Sequence, residues 1–265
     1  MIDLRFSESE LEARRENITS FIADTVDAAG ADGAVLGLSG GVDSSLVAHL
    51  TVEALGTDAL YGLVMPGTVS SEDNMSDAER VAEKLGIEYG VVEIEPIVDS
   101  LLEAYPDAAG DEVAVGNSRA RTRAVLNYLV ANHENRIVLG TGNRSEAMAG
   151  YYTKYGDGAV DCHPIGNLYK AQVRQLATAV GVPEGIVTKP PTAGLWKDQT
   201  DEGEMGVGYD TLDAILALHI EGPLSADATQ RELDVEAETV ERVEELHRAS
   251  AHKRSMPPAP DEPEV

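Results

Sequence analysis

The apolar positions of this chain change period several times, and each change marks an element. Leu11, Ile18, Phe21, Ile22 and Val26 recur at helical spacing behind a capping box of Ser7 and Glu10, predicting an amphipathic helix that stops near Gly30. Ala34 to Leu38 is a short unbroken apolar run, as a buried parallel strand would be, and Val42, Leu46, Val47 and Leu50 return to helical spacing. Ala59 to Met65 reads as a second strand closed by Pro66-Gly67. A helix with Ala78, Val81, Ala82 and Leu85 stops at Gly86, and Tyr89 to Ile94 reads as a third strand. Asn117 to His133 predicts a long helix and Arg136 to Thr141 a fourth strand. Lys170 opens a helix ending by Gly181, another helix starts at Tyr209, and the last runs from Glu236 to about Ser250. This alternation predicts an α/β fold with a doubly wound parallel sheet and a helical C-terminal extension. Ligands of such sheets sit beyond the carboxyl ends of the strands, where Ser39, Met65 and Thr141 fall, so the segment after Met65 is expected near a bound nucleoside. Residues 1–256 are expected to form one domain and 257–265 a disordered proline-acid tail.

Composition narrows the partners. Across 265 residues, 47 acidic side chains face 20 basic ones, a formal charge of −27 that repels nucleic acid and anionic membranes. The acid is spread along the chain and only 6 of the basic residues are lysines, the pattern of a salt-adapted cytoplasmic protein. Cys162 is alone, which excludes disulfides and cysteine-based zinc clusters within the chain. The chain shows no signal peptide and no apolar run long enough to cross a membrane.

The turn after the first strand carries the chemistry. It reads S-G-G-V-D-S-S from Ser39 to Ser45. Gly40 and Gly41 let the backbone approach an oligophosphate, the hydroxyls of Ser39, Ser44 and Ser45 can donate to it, and the N–H groups opening the next helix carry partial positive charge. Asp43 would repel phosphate unless a cation lay between, which points to Mg²⁺. No Gly-Lys-Ser/Thr closes the turn, and Gly37, Gly40 and Gly41 do not space as a dinucleotide fingerprint.

Further along, Arg119, Arg121 and Arg123 cluster on one helix, with Arg119 and Arg123 sharing a face and Arg121 turned away. They fit a ligand site or solvated pairs with nearby acids. Glu146 fits a first-turn acid behind an Asn143 or Ser145 cap, or a second metal ligand. From Gly150 the chain reads G-Y-Y-T-K-Y-G-D-G-A-V-D, and Tyr151, Tyr152 and Tyr155 fit either core or the walls of a flat-ring site. Lys170, a cation at a helix start, opposes the helix dipole unless a phosphate lies there. About twenty residues from Lys189 lack periodicity, the mark of a lid or a binding segment, and Asp201, Glu202 and Glu204 fit either that segment or, more simply, solvated surface. His252-Lys253-Arg254 follows a helix C-terminus, where the dipole alone would favour it.

The phosphate loop resembles the PP-loop of the ATP pyrophosphatases. Together with N-S-R-A-R-T-R, G-T-G-N-R-S-E, G-Y-Y-T-K-Y-G-D-G, L-Y-K, K-P-P-T-A-G-L-W, Q-T-D-E-G-E-M-G and H-K-R, nearly the whole chain resembles ammonia-dependent NAD synthetase. The resemblance implies transfer of AMP from ATP to the nicotinate carboxylate of deamido-NAD, then displacement of AMP by ammonia. It implies ATP contacts from Gly37, Leu38, Ser39, Gly40, Gly41, Val42, Asp43 and Ser44, and from Thr141, Lys170 and Thr192. It places Mg²⁺ on Asp43 and Glu146, and deamido-NAD on Arg121, Lys154, Asp161, His252 and Lys253. It also implies a homodimer with the dinucleotide at the interface, and free ammonia as donor, since no length remains for an amidase domain. Catalysis is then expected from Lys170 and metal neutralising charge, with Asp157 or Asp161 taking the proton from ammonium. The rival readings are a PP-loop ligase that amidates a purine nucleotide and a nucleotide sensor without turnover.

Overall fold

The computed structural model describes residues 2–67, 72–196 and 199–260. In chain order the core elements are α1 (Glu8–Ala29), β1 (Gly33–Leu38), α2 (Val42–Leu55), β2 (Leu60–Val64), α3 (Glu72–Leu85), β3 (Glu88–Val91), α4 (Glu95–Ala104), α5 (Glu112–His133), β4 (Arg136–Leu139), α6 (Arg144–Ala149) and α7 (Lys170–Ala179). α8 (Glu184–Val187), α9 (Asp201–Met205), α10 (Tyr209–Ile215), α11 (Ala226–Leu233) and α12 (Ala237–Ala249) follow.

All strand pairs are parallel and the order is β3-β2-β1-β4, so β1 and its phosphate loop lie centrally. The unbroken apolar run of β1 has its explanation here. Ala34, Leu36 and Leu38 pack with Ile18, Ile22, Leu46, Val81 and Leu176 on one face, and Val35 packs with Leu63, Met65, Ile94, Ala131 and Val138 on the other. A strand buried on both faces cannot alternate with polar residues. A second core of Met205, Tyr209, Leu212, Ile215, Leu216, Leu233, Val240 and Val243 includes Ala149 and Tyr169, which docks the C-terminal helices on the end of α6 and the start of α7.

Several boundaries differ from the expectation. The third strand stops at Val91, because Ile94 turns inward, fully buried, to open α4, whose first turn holds Pro96. α5 starts five residues early, where the Asp111 side chain accepts from the Ala114 amide. The aperiodic stretch after Lys189 contains α9, capped by Thr200 and ended by Gly206 at φ +75°. Residues 68–71 of the segment expected near the nucleoside, and residues 261–265 of the expected tail, lie outside the described residues.

The join between α6 and the C-terminal helices is tight enough to test. Gly150 has φ +69°, and an added Cβ would meet the Ser250 Cβ at 1.9 Å; Gly181 is also left-handed, at φ +88°, but has open space around it. Gly181→Ala is expected to cost about 1–2 kcal/mol from backbone strain alone, and Gly150→Ala roughly 1–3 kcal/mol more from overpacking. Urea unfolding at fixed salt checks the difference.

Candidate active site

At the carboxyl ends of β1, β2 and β4 opens a cavity of about 510 Å³. Its floor is the phosphate loop. Gly40 at φ +75° needs glycine, and α2 starts at Gly41 with no side chain capping its first N–H groups. Within the loop the Ser39 and Ser44 hydroxyls are 3.0 Å apart, and Ser44 and Ser45 donate to the Gly41 carbonyl at 3.2 and 2.8 Å. Ser44 and Ser45 are buried, so they shape the loop and leave Ser39 as the hydroxyl on the cavity wall, contrary to the expectation that all three face a ligand.

Three elements deliver one ionic centre. The Lys170 ammonium, 2% exposed, lies 2.7 Å from Asp43 Oδ2 and 3.1 Å from Glu146 Oε1. Burial pushes the ammonium down, and the two carboxylates outweigh it, so it is held charged above its ordinary range. Burial likewise raises Glu146, against the pull of Lys170 and with the push of Asp43. Glu146 forms the capping box expected of a first-turn acid, with Asn143 N donating to Oε2 at 3.2 Å, while Oε1 faces Lys170. Asn143 also donates its amide to Asp43 Oδ1 at 2.8 Å, tying α6 to α2.

Lys170 is supported from beneath. Its ammonium sits 4.9 Å from the centre of the Tyr209 ring, and the Tyr209 hydroxyl donates to Asp201 Oδ2 at 2.9 Å. Both residues are buried, which corrects the reading of Asp201 as solvated surface; the alternation of acid and glycine around it concealed a residue aimed at the α10 tyrosine. The opposed dipole at the start of α7 is met by Asp213, which accepts from Ser145 Oγ at 2.5 Å, while that oxygen accepts the Lys170 amide at 2.9 Å. Burial raises Asp213 to about 6.

The far wall is different in character. Arg123 Nε donates to the Met65 carbonyl at 3.1 Å, and Arg119 pairs with Glu95 at 2.7 Å and donates to the Leu195 carbonyl at 2.9 Å. Asp157 lines this wall and accepts from Thr153 N at 2.9 Å, and the surrounding protein raises its carboxyl although the cavity leaves it reachable by solvent. Lys253 donates to the carbonyls of Gly150 and Tyr152, each at 2.7 Å. Tyr151 and Tyr152 are wall residues, whereas Tyr155 is 59% exposed and turned outward.

The cavity thus gathers Gly37, Leu38, Ser39, Gly41, Val42, Asp43, Thr141, Glu146, Asp157, Lys170, Thr192 and Lys253. Thr192 donates to the Gln199 carbonyl at 2.8 Å, within its own turn. Six expected positions stand outside its lining: Gly40 and Ser44 within the loop, and Arg121, Lys154, Asp161 and His252. Arg121 Nη2 reaches the Lys154 carbonyl at 3.3 Å, and Lys154 Nζ reaches that of His252 at 2.5 Å, forming a surface chain. Asp161 accepts from Val138 N at 2.7 Å and from the Tyr128 hydroxyl at 3.1 Å, away from the ionic centre. Among the described residues no group of three metal-ligating side chains forms, leaving Asp43 and Glu146 as the hard-oxygen pair.

A parallel α/β sheet with an uncapped phosphate loop and a lysine shared by two carboxylates defines a nucleotide-handling enzyme. Comparison with known proteins makes this specific. A profile of the NAD synthase family matches residues 14–257, and the chain belongs to that family. It is 69% identical over 259 residues to the NH3-dependent NAD⁺ synthetase of Halobacterium salinarum, covering 98% of this chain and 97% of that protein. Among solved structures it resembles NMN synthetase from Francisella tularensis, with a TM-score of 0.84 and 36% identity over 97% of this chain and 99% of that one. It also resembles the NH3-dependent NAD synthetase of Campylobacter jejuni in complex with nitrate, with a TM-score of 0.79 and 30% identity over 95% and 99% of the two chains. ATP is a co-substrate in this family.

The support of Lys170 yields a pH signature. Because folding raises Asp213 from 3.8 to about 6, its protonated form stabilises the native state at low pH, and that contribution is lost as pH rises through about 6. The stability difference between wild type and Asp213→Asn is expected to fall by about 2–3 kcal/mol between pH 4 and 6, read from unfolding midpoints at constant salt.

Proposed function

We propose that this chain converts deamido-NAD to NAD with ATP and free ammonia, through an adenylated carboxylate. The observation that carries this reading is the Lys170 ammonium between Asp43 and Glu146, at the foot of a cavity whose opposite wall holds Arg123, Asp157 and Lys253. One end suits a polyphosphate and the other an anionic acceptor. The names of the relatives at Halobacterium and Campylobacter support ammonia as the donor.

In the first step a carboxylate oxygen bonds to the α-phosphorus of ATP, the α–β bridging bond breaks, and pyrophosphate leaves. The open N–H groups of α2, the Ser39 hydroxyl and Lys170 receive the charge on the departing phosphates. Asp43 and Glu146 would hold Mg²⁺, since two carboxylate oxygens sharing one ammonium make a hard, incompletely neutralised pair. Bound there, the ion would supply charge neutralisation for the polyphosphate. In the second step ammonia bonds to the acyl carbon and AMP leaves with its electron pair. Asp157, raised by the protein around it and open to the cavity, takes the proton, while Asp161 is held elsewhere by Val138 and Tyr128.

The dinucleotide residues implied outside the cavity fit a dimer. Arg121, Val125 and Leu129 repeat every fourth residue on the exposed face of α5, with Val125 and Leu129 at 67% and 63% exposure, and Ile97 and Leu101 extend the apolar face from α4. A second copy covering this face would bring Arg121, Lys154 and His252 to a shared site. Leu129→Asp is expected to shift the protein to monomer in sedimentation and to raise the KM for deamido-NAD.

A second reading follows from the likeness to the Francisella NMN synthetase, in which a mononucleotide would be the acceptor. Incubation with ATP, Mg²⁺ and ammonium, with deamido-NAD and nicotinate mononucleotide in separate arms, decides between them. We expect NAD, AMP and pyrophosphate in the first arm at higher kcat/KM, and Lys170→Met is expected to lower that rate by at least ~100-fold. Faster turnover of the mononucleotide would favour the second reading, and no AMP in either arm would overturn both. The assay is run at molar KCl, where a charge of −27 is screened.

A further inference from the structure

Four cations line the cavity, Arg123, Lys170, Lys189 and Lys253, and they are compensated unequally. Lys170 has two carboxylates within 3.1 Å. Arg123 lines the opposite wall and forms no ion pair with any described carboxylate. Its neighbour Arg119, four residues earlier on the same helix face, takes Glu95. The single Arg123 hydrogen bond among the described residues runs from Nε to the Met65 carbonyl at the end of β2, which fixes the guanidinium plane and leaves both Nη groups for something else. Burial, and next the positive charge of Arg119, push Arg123 down to about 10 against the attraction of Glu95 and Asp157, so it is still a cation near neutral pH.

Holding a half-buried guanidinium with no carboxylate in ion-pair contact is costly, and Glu95 and Asp157 attract Arg123 only from beyond that distance. A wall residue of this kind is completed by a ligand anion. Two Nη groups in a fixed plane match the two oxygens of a carboxylate, and the charge-assisted pair is strongest away from bulk water. The phosphate loop and Lys170 already provide for polyphosphate at the other end, so the anion left for Arg123 is the carboxylate of the acceptor.

Resting on the proposed amidation, we infer that Arg123 receives the acceptor carboxylate and sets the preference for the acid over its amide. The reaction itself removes the recognised charge. An anionic acid pairs with Arg123, whereas the neutral amide leaves the guanidinium without a contacting counter-ion, so product is released more readily than substrate. Arg119 is occupied by Glu95 and the Leu195 carbonyl, Arg121 lies on the outer face of the helix, Lys189 pairs with Asp77, and the Lys253 ammonium is held by the Gly150 and Tyr152 carbonyls, so Arg123 is the cation placed for this role.

Calorimetric titration of the full chain with deamido-NAD and with NAD, without ATP, tests it. Wild type is expected to bind the acid at least ~10-fold more tightly than the amide. Arg123→Met is expected to lose at least ~30-fold for the acid and less than ~3-fold for the amide, with Arg123→Lys between. Thermal unfolding confirms that each variant folds. Should Arg123→Met fail to fold, the lysine variant decides, since it keeps the charge and loses the planar fork. Equal affinity of wild type for both dinucleotides would overturn the inference alone, as would equal weakening of both in the variants or a selective loss of ATP binding in a parallel titration. Absence of binding of either dinucleotide to wild type would overturn the amidation reading and this inference with it.

Discussion

The architecture of the site depends on one ammonium placed between two carboxylates. Lys170 comes from α7, Asp43 from α2 and Glu146 from α6, and they meet because β1 and β4 are parallel neighbours whose carboxyl ends open side by side. Two carboxylates from different helices are thereby brought to one ammonium at the foot of the cavity. The cost of this centre is spread over neighbouring groups: Asn143 steadies Asp43, the Tyr209 ring lies under the ammonium, and Ser145 with Asp213 closes the start of the lysine's helix. Removing the lysine would leave two carboxylates buried against each other, which is more damaging than losing a surface pair.

The C-terminal helices are part of the same construction. Their core includes Tyr169, the residue before Lys170, and Ala149 at the end of α6. Arg144, Tyr169 and Glu221 join the starts of α6 and α7 to the turn after α10. Arg254 donates to the carbonyls of Ala147, Met148 and His247, filling acceptors at the ends of α6 and α12, while Lys253 ties the following loop. The basic cluster that the helix dipole alone would favour is therefore also a clamp on the loop that lines the cavity.

Much of this was legible before the fold was known, for reasons that differ by residue. The apolar run of β1 and the glycines after it are local signals, so strand, loop and helix were readable in place. Lys170 was conspicuous because a cation at a helix start contradicts the dipole. Asp201 and Tyr209 were not, since their burial arises from packing against Lys170, over thirty residues away, and no local pattern reports it. The sheet hid α4 in a similar way: Ile94 looks like the end of a strand until its burial under β2 is seen. Helical spacing separated Arg121 from Arg119 and Arg123, but it could not say that Glu95 claims Arg119 and leaves Arg123 without a carboxylate.

The central claim is that this centre directs a carboxylate to the α-phosphorus of ATP. Deamido-NAD labelled with ¹⁸O in its carboxylate, turned over with ATP and ammonium, tests it by mass spectrometry of the phosphorus-containing products. The account predicts one labelled oxygen in AMP and none in pyrophosphate. Label in orthophosphate, with ADP as the nucleotide product, would show attack at the γ-phosphorus and contradict it.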